Sequence, residues 1–139
     1  MNLTLETSLH GISRALTERI VPALTDPFAA EAARLAKILL TISANAVDDA
    51  AAIRVAENAR LRALFGAAAG AVEPALAADL AAAAASQDPG LRISELDAEN
   101  GRLRALLVRL HAAAEGQALE RQIWAMLADF EAARAPRTE

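Results

Sequence analysis

The stretch AENARLRAL, Ala56 to Leu64, returns 42 residues later as AENGRLRAL, Ala98 to Leu106, with one change, alanine at 59 against glycine at 101. Both copies read as helix, because alanine, leucine and arginine are strong helix formers. Leu61/Leu64/Phe65 and Leu103/Leu106/Leu107 mark one side of each helix at i, i+3, i+4 spacing, so each copy presents an apolar stripe that needs a partner helix. The gap of 42 is six heptads, which would keep register in one continuous coiled coil. Gly66, Gly70, Pro74 and the Asp88-Pro89-Gly90 turn lie between the copies, so each belongs to a helix of its own. Similarity stops at the edges, where Ile53 aligns with Glu95 and Arg54 with Leu96.

Outward from the strings, the periodicity predicts an all-α chain, an antiparallel bundle of four or five helices with two of them long. A first helix is expected over Leu5 to Leu24, with Leu5, Leu9, Ile12, Leu16, Ile20 and Leu24 on a narrow stripe and Pro22 terminating or kinking it. Asp26-Pro27 opens a second helix, an acidic N-cap followed by proline at the first helical position. Its stripe, through Leu35, Ile38/Leu39, Ile42, Ala46, Asp49/Ala50, Ile53 and Leu61/Leu64, predicts some nine unbroken turns up to Gly66. A shorter helix follows Pro74, with Val72, Leu76, Leu80 and Ala84 on its buried side, and ends in Ser86-Gln87-Asp88-Pro89-Gly90. Another starts near Ser94-Glu95 or just after Asp88-Pro89 and carries Leu96, Leu103, Leu107, Leu110 and Ala114. After Gly116 the stripe of Leu119, Ile123, Met126, Leu127 and Phe130 changes phase. Either the chain turns there or one helix serves two partners in succession; with no Pro, Asn or Asp at the site, the reading favours a continuous helix. Residues 1–134 are expected to form a single domain and 135–139 a frayed tail.

Composition narrows the function. The 139 residues carry a formal net charge of -4, with basic residues spread along the chain, so the electrostatic footprint of nucleic-acid binding is missing. There is no cysteine, hence no thiolate chemistry, which fits a reducing compartment. The amino terminus does not read as a signal peptide, and Gly66 to Asp79, dominated by alanine and glycine, is too weakly apolar to span a bilayer. A cytoplasmic protein is expected. Of the residues, 55% are hydrophobic but only 3% aromatic, and roughly a quarter are alanine, whose methyl buries little area. Such a thin core gains from oligomerising.

Candidate chemistry is sparse. Glu6 with His10, and His111 with Glu115, sit four apart and share a helix face, a spacing compatible with metal binding or surface ion pairing. The Glu-x-x-His element of di-metal bundles is missing. Asn45, Asp48 and Asp49 interrupt the second helix, either as a cation site or as polar residues on a helix face. Asn58 and Asn100 lie at the seam edge of the strings, where an Asn–Asn pair would select one alignment. Arg60/Arg62 and Arg102/Arg104 read as solvated flanks, or as a phosphate or carboxylate clamp if the copies face each other. The serines have no nucleophile signature, and Gly66–Gly70 lacks the Lys-Ser/Thr sequel of a phosphate loop. Leu61, Leu64, Phe65, Leu103, Leu107, Leu110, Ile123, Trp124 and Leu127 are the candidate interface residues, tryptophan being favoured at such surfaces.

The segments Val21–Ala29 (VPALTDPFA), Ala56–Leu64 and Leu103–Glu115 together resemble a group of small, uncharacterised bacterial all-helical proteins of unknown function, with PALxDPFA, ENxxLRxL and LRxLLxxLHAxxE elements. The resemblance implies an accessory role and carries over no catalytic residue. The expectation is a non-enzymatic, cofactor-free helical protein that self-associates, as a homodimer, and binds a protein partner through an apolar helix face. A binder of an apolar small molecule held between helices, or a metal-binding bundle on His10, Glu6, His111 and Glu115, is the alternative.

Overall fold

Asp26 caps the backbone as its position before Pro27 predicts: its carboxylate accepts from the amides of Phe28 (3.1 Å) and Ala29 (3.3 Å) and starts helix α2, Pro27–Val47. In the computed structural model, which describes residues 3–135, helix α1 (Leu5–Ala15) precedes it, capped by Thr4, whose hydroxyl accepts from the Thr7 amide. The expected first helix to Leu24 is not regular throughout. It widens into a π-helical turn over Leu16–Ile20 and tightens into a 3-10 turn over Val21–Ala23. Pro22 has no N–H to donate, and its ring crowds the carbonyl four residues back, so the α ladder cannot run through this point.

The nine-turn second helix is also corrected. α2 ends at Val47, Asp48 and Asp49 form a turn, and α3 runs over Ala50–Ala68. Short Asn and Asp side chains compete for nearby backbone groups, which outweighs the continuing apolar stripe. A 3-10 turn (Ala69–Ala71) leads to α4, Pro74–Ala84, with Pro74 at its first position. The Ser86–Gly90 loop connects to α5, Ile93–Ala113. At Gly116 the chain turns instead of continuing. Gly116 adopts a φ of 74°, a left-handed conformation that closes a helix end, and α6 follows over Ala118–Arg134. The phase change of the leucines is the signature of that reversal: α6 folds back and sets Ile123, Met126 and Phe130 toward the side where α5 sets Leu103, Leu107 and Leu110. The described residues are thus all-α, with six α-helices and no strand, and no helix among them is long and apolar enough to cross a membrane. Beyond Ala135 the expected tail lies outside the described residues.

Two compact units are present, one of residues 3–49 and one of residues 50–135. In the first, α1 and α2 pack as a hairpin, with Ser13 Oγ 3.3 Å from Thr41 Oγ1. Its inner surface is thin: Ser13 and Ala44 are its only fully buried residues.

The second unit holds the core. Leu61, Phe65, Leu80, Leu103, Leu110 and Ile123 are at most 1% exposed, and Leu76, Leu107, Met126 and Phe130 pack with them. Helix directions follow from the pairings. α6 is antiparallel to α5, since His111 meets Trp124, Arg104 meets Phe130 and Asn100 meets Arg134. It is antiparallel to α3 as well, because Arg60 meets Asp129 and Glu57 meets Arg134. α3 and α5 are therefore parallel, and the repeated strings lie side by side at one level.

Candidate functional site

Parallel helices with matched sequence obey coiled-coil geometry, in which a and d residues face the partner and a g residue reaches the e residue five positions on in the other helix. Asn58, Phe65 and Asn100, Leu107 take the a positions of α3 and α5; Leu61, Ala68 and Leu96, Leu103, Leu110 take d. All are buried. Glu57 and Glu99 fall at g, Arg62 and Arg104 at e. The exchange is reciprocal: Arg62 donates to Glu99 (2.7 Å) and Arg104 to Glu57 (3.3 Å). Within one chain, the two strings reproduce the seam of a parallel two-stranded coiled coil.

At the centre, Asn100 Nδ2 donates to Asn58 Oδ1 at 2.9 Å, both residues being at most 5% exposed. Asn100 Oδ1 in turn accepts from Arg104 (2.9 Å) and Arg134 (3.3 Å), while Asn58 Nδ2 donates to Asp88 (2.9 Å). The amides thus form a chain of hydrogen bonds running from arginine donors at one end to a carboxylate at the other. Each end has a closing partner from outside the strings. Arg134, in the last turn of α6, donates to Glu57 at 2.6 Å; Asp88, in the loop before α5, accepts from Arg62 at 2.9 Å. Ser86 Oγ donates to the Ala83 carbonyl (2.7 Å) and accepts from Arg62 and Arg102. Phe130 lies under two guanidinium groups, those of Arg60 and Arg104, 5.3 and 5.4 Å from its ring centre. Arg54 pairs with Asp97 where the string similarity ends.

The electrostatics of the seam oppose acid–base chemistry. Burial pushes the Glu57 carboxyl up, but the hydrogen bonds and charges of Arg134 and Arg104 together outweigh it and hold it below the usual carboxylate value. Glu99 is lowered by the hydrogen bond from Arg102, against its burial, with Arg62 adding to the effect. Both carboxylates are ionised and fully bonded at neutral pH, so neither is a proton donor. No imidazole is hydrogen-bonded to Ser86, whose hydroxyl is occupied by backbone and guanidinium groups.

The predicted histidine pairs behave differently from each other. Glu6 and His10 are an exposed contact of 4.0 Å on α1. His111 does not turn to Glu115. Its Nε2 lies 3.6 Å from Glu120 Oε1 across the Gly116 turn, beyond hydrogen-bond length, and its ring meets Trp124 edge-on at 5.2 Å. Glu120 is drawn there because its other oxygen accepts from the Gly116 amide (2.8 Å) and satisfies the start of α6. Among the described residues no three His, Asp or Glu side chains converge as a metal ion would require.

Of the nine candidate interface residues, Leu61, Phe65, Leu103, Leu107, Leu110 and Ile123 are used inside the second unit, and Leu64 and Leu127 line its margin. Trp124 is 56% exposed. A groove of 540 Å³ between α4 and α5 is open to solvent, floored by Ala82, Ala83, Ala105 and Leu106 and edged by an Asp79–Arg109 ion pair of 2.7 Å.

The apolar surface that is left free sits elsewhere. Nine of the thirteen exposed large hydrophobic residues lie in residues 3–42, and five, Phe28, Leu35, Ile38, Leu39 and Ile42, stand on α2. Helix geometry at 100° per residue puts them on the side opposite Ala33, Ala44 and Thr41, which face α1. α2 therefore keeps its small residues and the partly buried Leu40 on the side of its hairpin partner and turns these five large ones away from it. Periodicity marks Leu35, Ile38, Leu39 and Ile42; what it does not show is that α1 packs on the other side of the helix and leaves this one exposed.

No protein-family model, no curated protein and no solved structure matches this chain. Its functional reading rests on the geometry of its own residues.

Proposed function

We propose that this chain is a non-enzymatic helical interaction protein, which self-associates and engages a protein partner through an apolar helix face. The observation that carries this reading is the division of apolar side chains. The second unit has a core of its own, whereas α2 exposes Phe28, Leu35, Ile38, Leu39 and Ile42, with Phe28 85% exposed. A helix that is apolar on two opposite sides is ordinarily buried on both. Contiguous exposed apolar residues on a charged protein mark interaction sites. The polar seam of the second unit supports a framework role, since its groups are spent on one another.

Photo-crosslinking in cells tests this. A photoreactive amino acid in place of Leu39 is expected to give discrete protein adducts, and the same group in place of Ala63, on the solvent side of α3, none. Equal, diffuse labelling from both positions would refute the proposal.

A further inference from the structure

The outward face of α2 has an occupant that the page itself suggests. Phe28, Leu35 and Ile42 recur every seven residues, and Ala32, Leu39 and Ala46 fill the intervening positions. This is the a/d pattern of a helix that packs lengthwise against another helix. The exposed parts of Phe28, Leu35, Ile38, Leu39 and Ile42 amount to on the order of 500 Å². Two such faces together would remove on the order of 1,000 Å² from water, which reaches the lower bound for a specific protein interface of about 1,000 Å².

Charge permits the contact. Beside the stripe, Arg34 donates to Glu31 at 2.9 Å, so the flank is neutralised before a second helix arrives and like charges are not forced together. The other exposed large hydrophobics at residues 50–135 are Leu91, Ile93, Val108 and Trp124, on three separate elements. None of them makes a stripe that matches the one on α2. Leu5 and Ile12 are also exposed and seven apart on α1, but α1 has 11 residues against the 21 of α2, so among described surfaces the one that matches the stripe in length as well as period is the same stripe on another molecule.

We infer that α2 is the self-association surface of this protein: two chains pack α2 against α2 through Phe28, Leu35, Leu39 and Ile42. This rests on the proposed interaction function and names its partner as a second copy. The contact so assigned is made by α2 and by none of the leucines of the repeated strings.

Sedimentation equilibrium of the full-length chain decides it. The wild-type chain is expected as a dimer at micromolar concentration, twice its 14.5 kDa mass. L35E/L39E should lose at least tenfold in association while keeping the helical circular dichroism, and V108E should remain dimeric. Because the chain has no cysteine, Leu39→Cys labelled with pyrene adds a second readout free of new charge: excimer emission that unlabelled chain dilutes away. A monomeric wild type without excimer, or a dimer that survives L35E/L39E, overturns the inference. Leu39 adducts in cells containing only a different protein would also overturn it and leave the interaction function standing; the absence of all adducts would remove both.

Discussion

Asn58 and Asn100 show how a pair of polar residues acts inside an apolar seam. A buried amide is tolerated when its donors and acceptors are all engaged, and here each amide has partners on both sides. Asn100→Ala should lower the stability of the protein by about 2 kcal/mol in urea unfolding, because Asn58 Oδ1 and Glu57 lose a donor while remaining buried. Replacing both residues, as in N58L/N100L, should recover only part of that loss: it removes the orphaned Asn58 oxygen but leaves Arg104 Nε without its Asn100 acceptor and Asp88 and Glu57 each short of a donor. Glu57 and Glu99 give the seam its pH dependence. A carboxyl whose folded pKa lies below its unfolded value contributes stability that is complete above the unfolded value, 4.5, and is lost as pH falls through the folded one. Thermal unfolding followed between pH 7 and pH 3 should therefore be flat at first and fall below pH 4.5. Glu57→Gln should start about 2 kcal/mol lower at neutral pH, with a shallower acid slope.

At the scale of helices, the two strings differ at one position that nothing in the packing requires. Gly101 is helical, and a Cβ built there meets no atom within 4 Å. Gly101→Ala, which makes the strings identical, should stabilise the protein by about 0.5–1 kcal/mol, read as a raised urea midpoint with an unchanged slope. Gly116 is also in open space, but its φ of 74° is costly for any residue with a Cβ. Gly116→Ala should cost about 1 kcal/mol in the same measurement. The pair separates space from backbone strain as reasons for keeping a glycine. The same scale shows where periodicity misleads. It runs on through Asp48-Asp49, and at Gly116 it registers the reversal only as a change of phase that one helix serving two partners would also give, because a stripe records which residues are apolar and not where the backbone between them bends.

For the whole molecule, the closed core of residues 50–135 predicts an independent folding unit. A fragment of those residues should unfold cooperatively in urea with most of its helical signal. The α1/α2 hairpin, closed by Ser13, Thr41, Ala44 and the partly buried Leu9, Leu16 and Leu40, has a smaller buried core than the second unit. Much of this architecture is legible in the chain. Helix class, the Asp26-Pro27 start, the Ser86–Gly90 loop and the apolar line on α2 follow from propensity, capping and period, which are properties of neighbouring residues; Asn58 and Asn100, which the period puts at the seam edge, lie buried at its centre. The reciprocal Glu–Arg exchange was within reach too, in the five-residue step from Glu57 to Arg62, once the strings are set parallel. That they are parallel, that His111 meets Glu120 rather than Glu115, and that the leucines of the strings are used up inside the chain while those of α2 are not, was decided by tertiary structure. Local sequence sets what each helix can offer, but only the path of the chain through its turns determines which two faces meet and which one is left over.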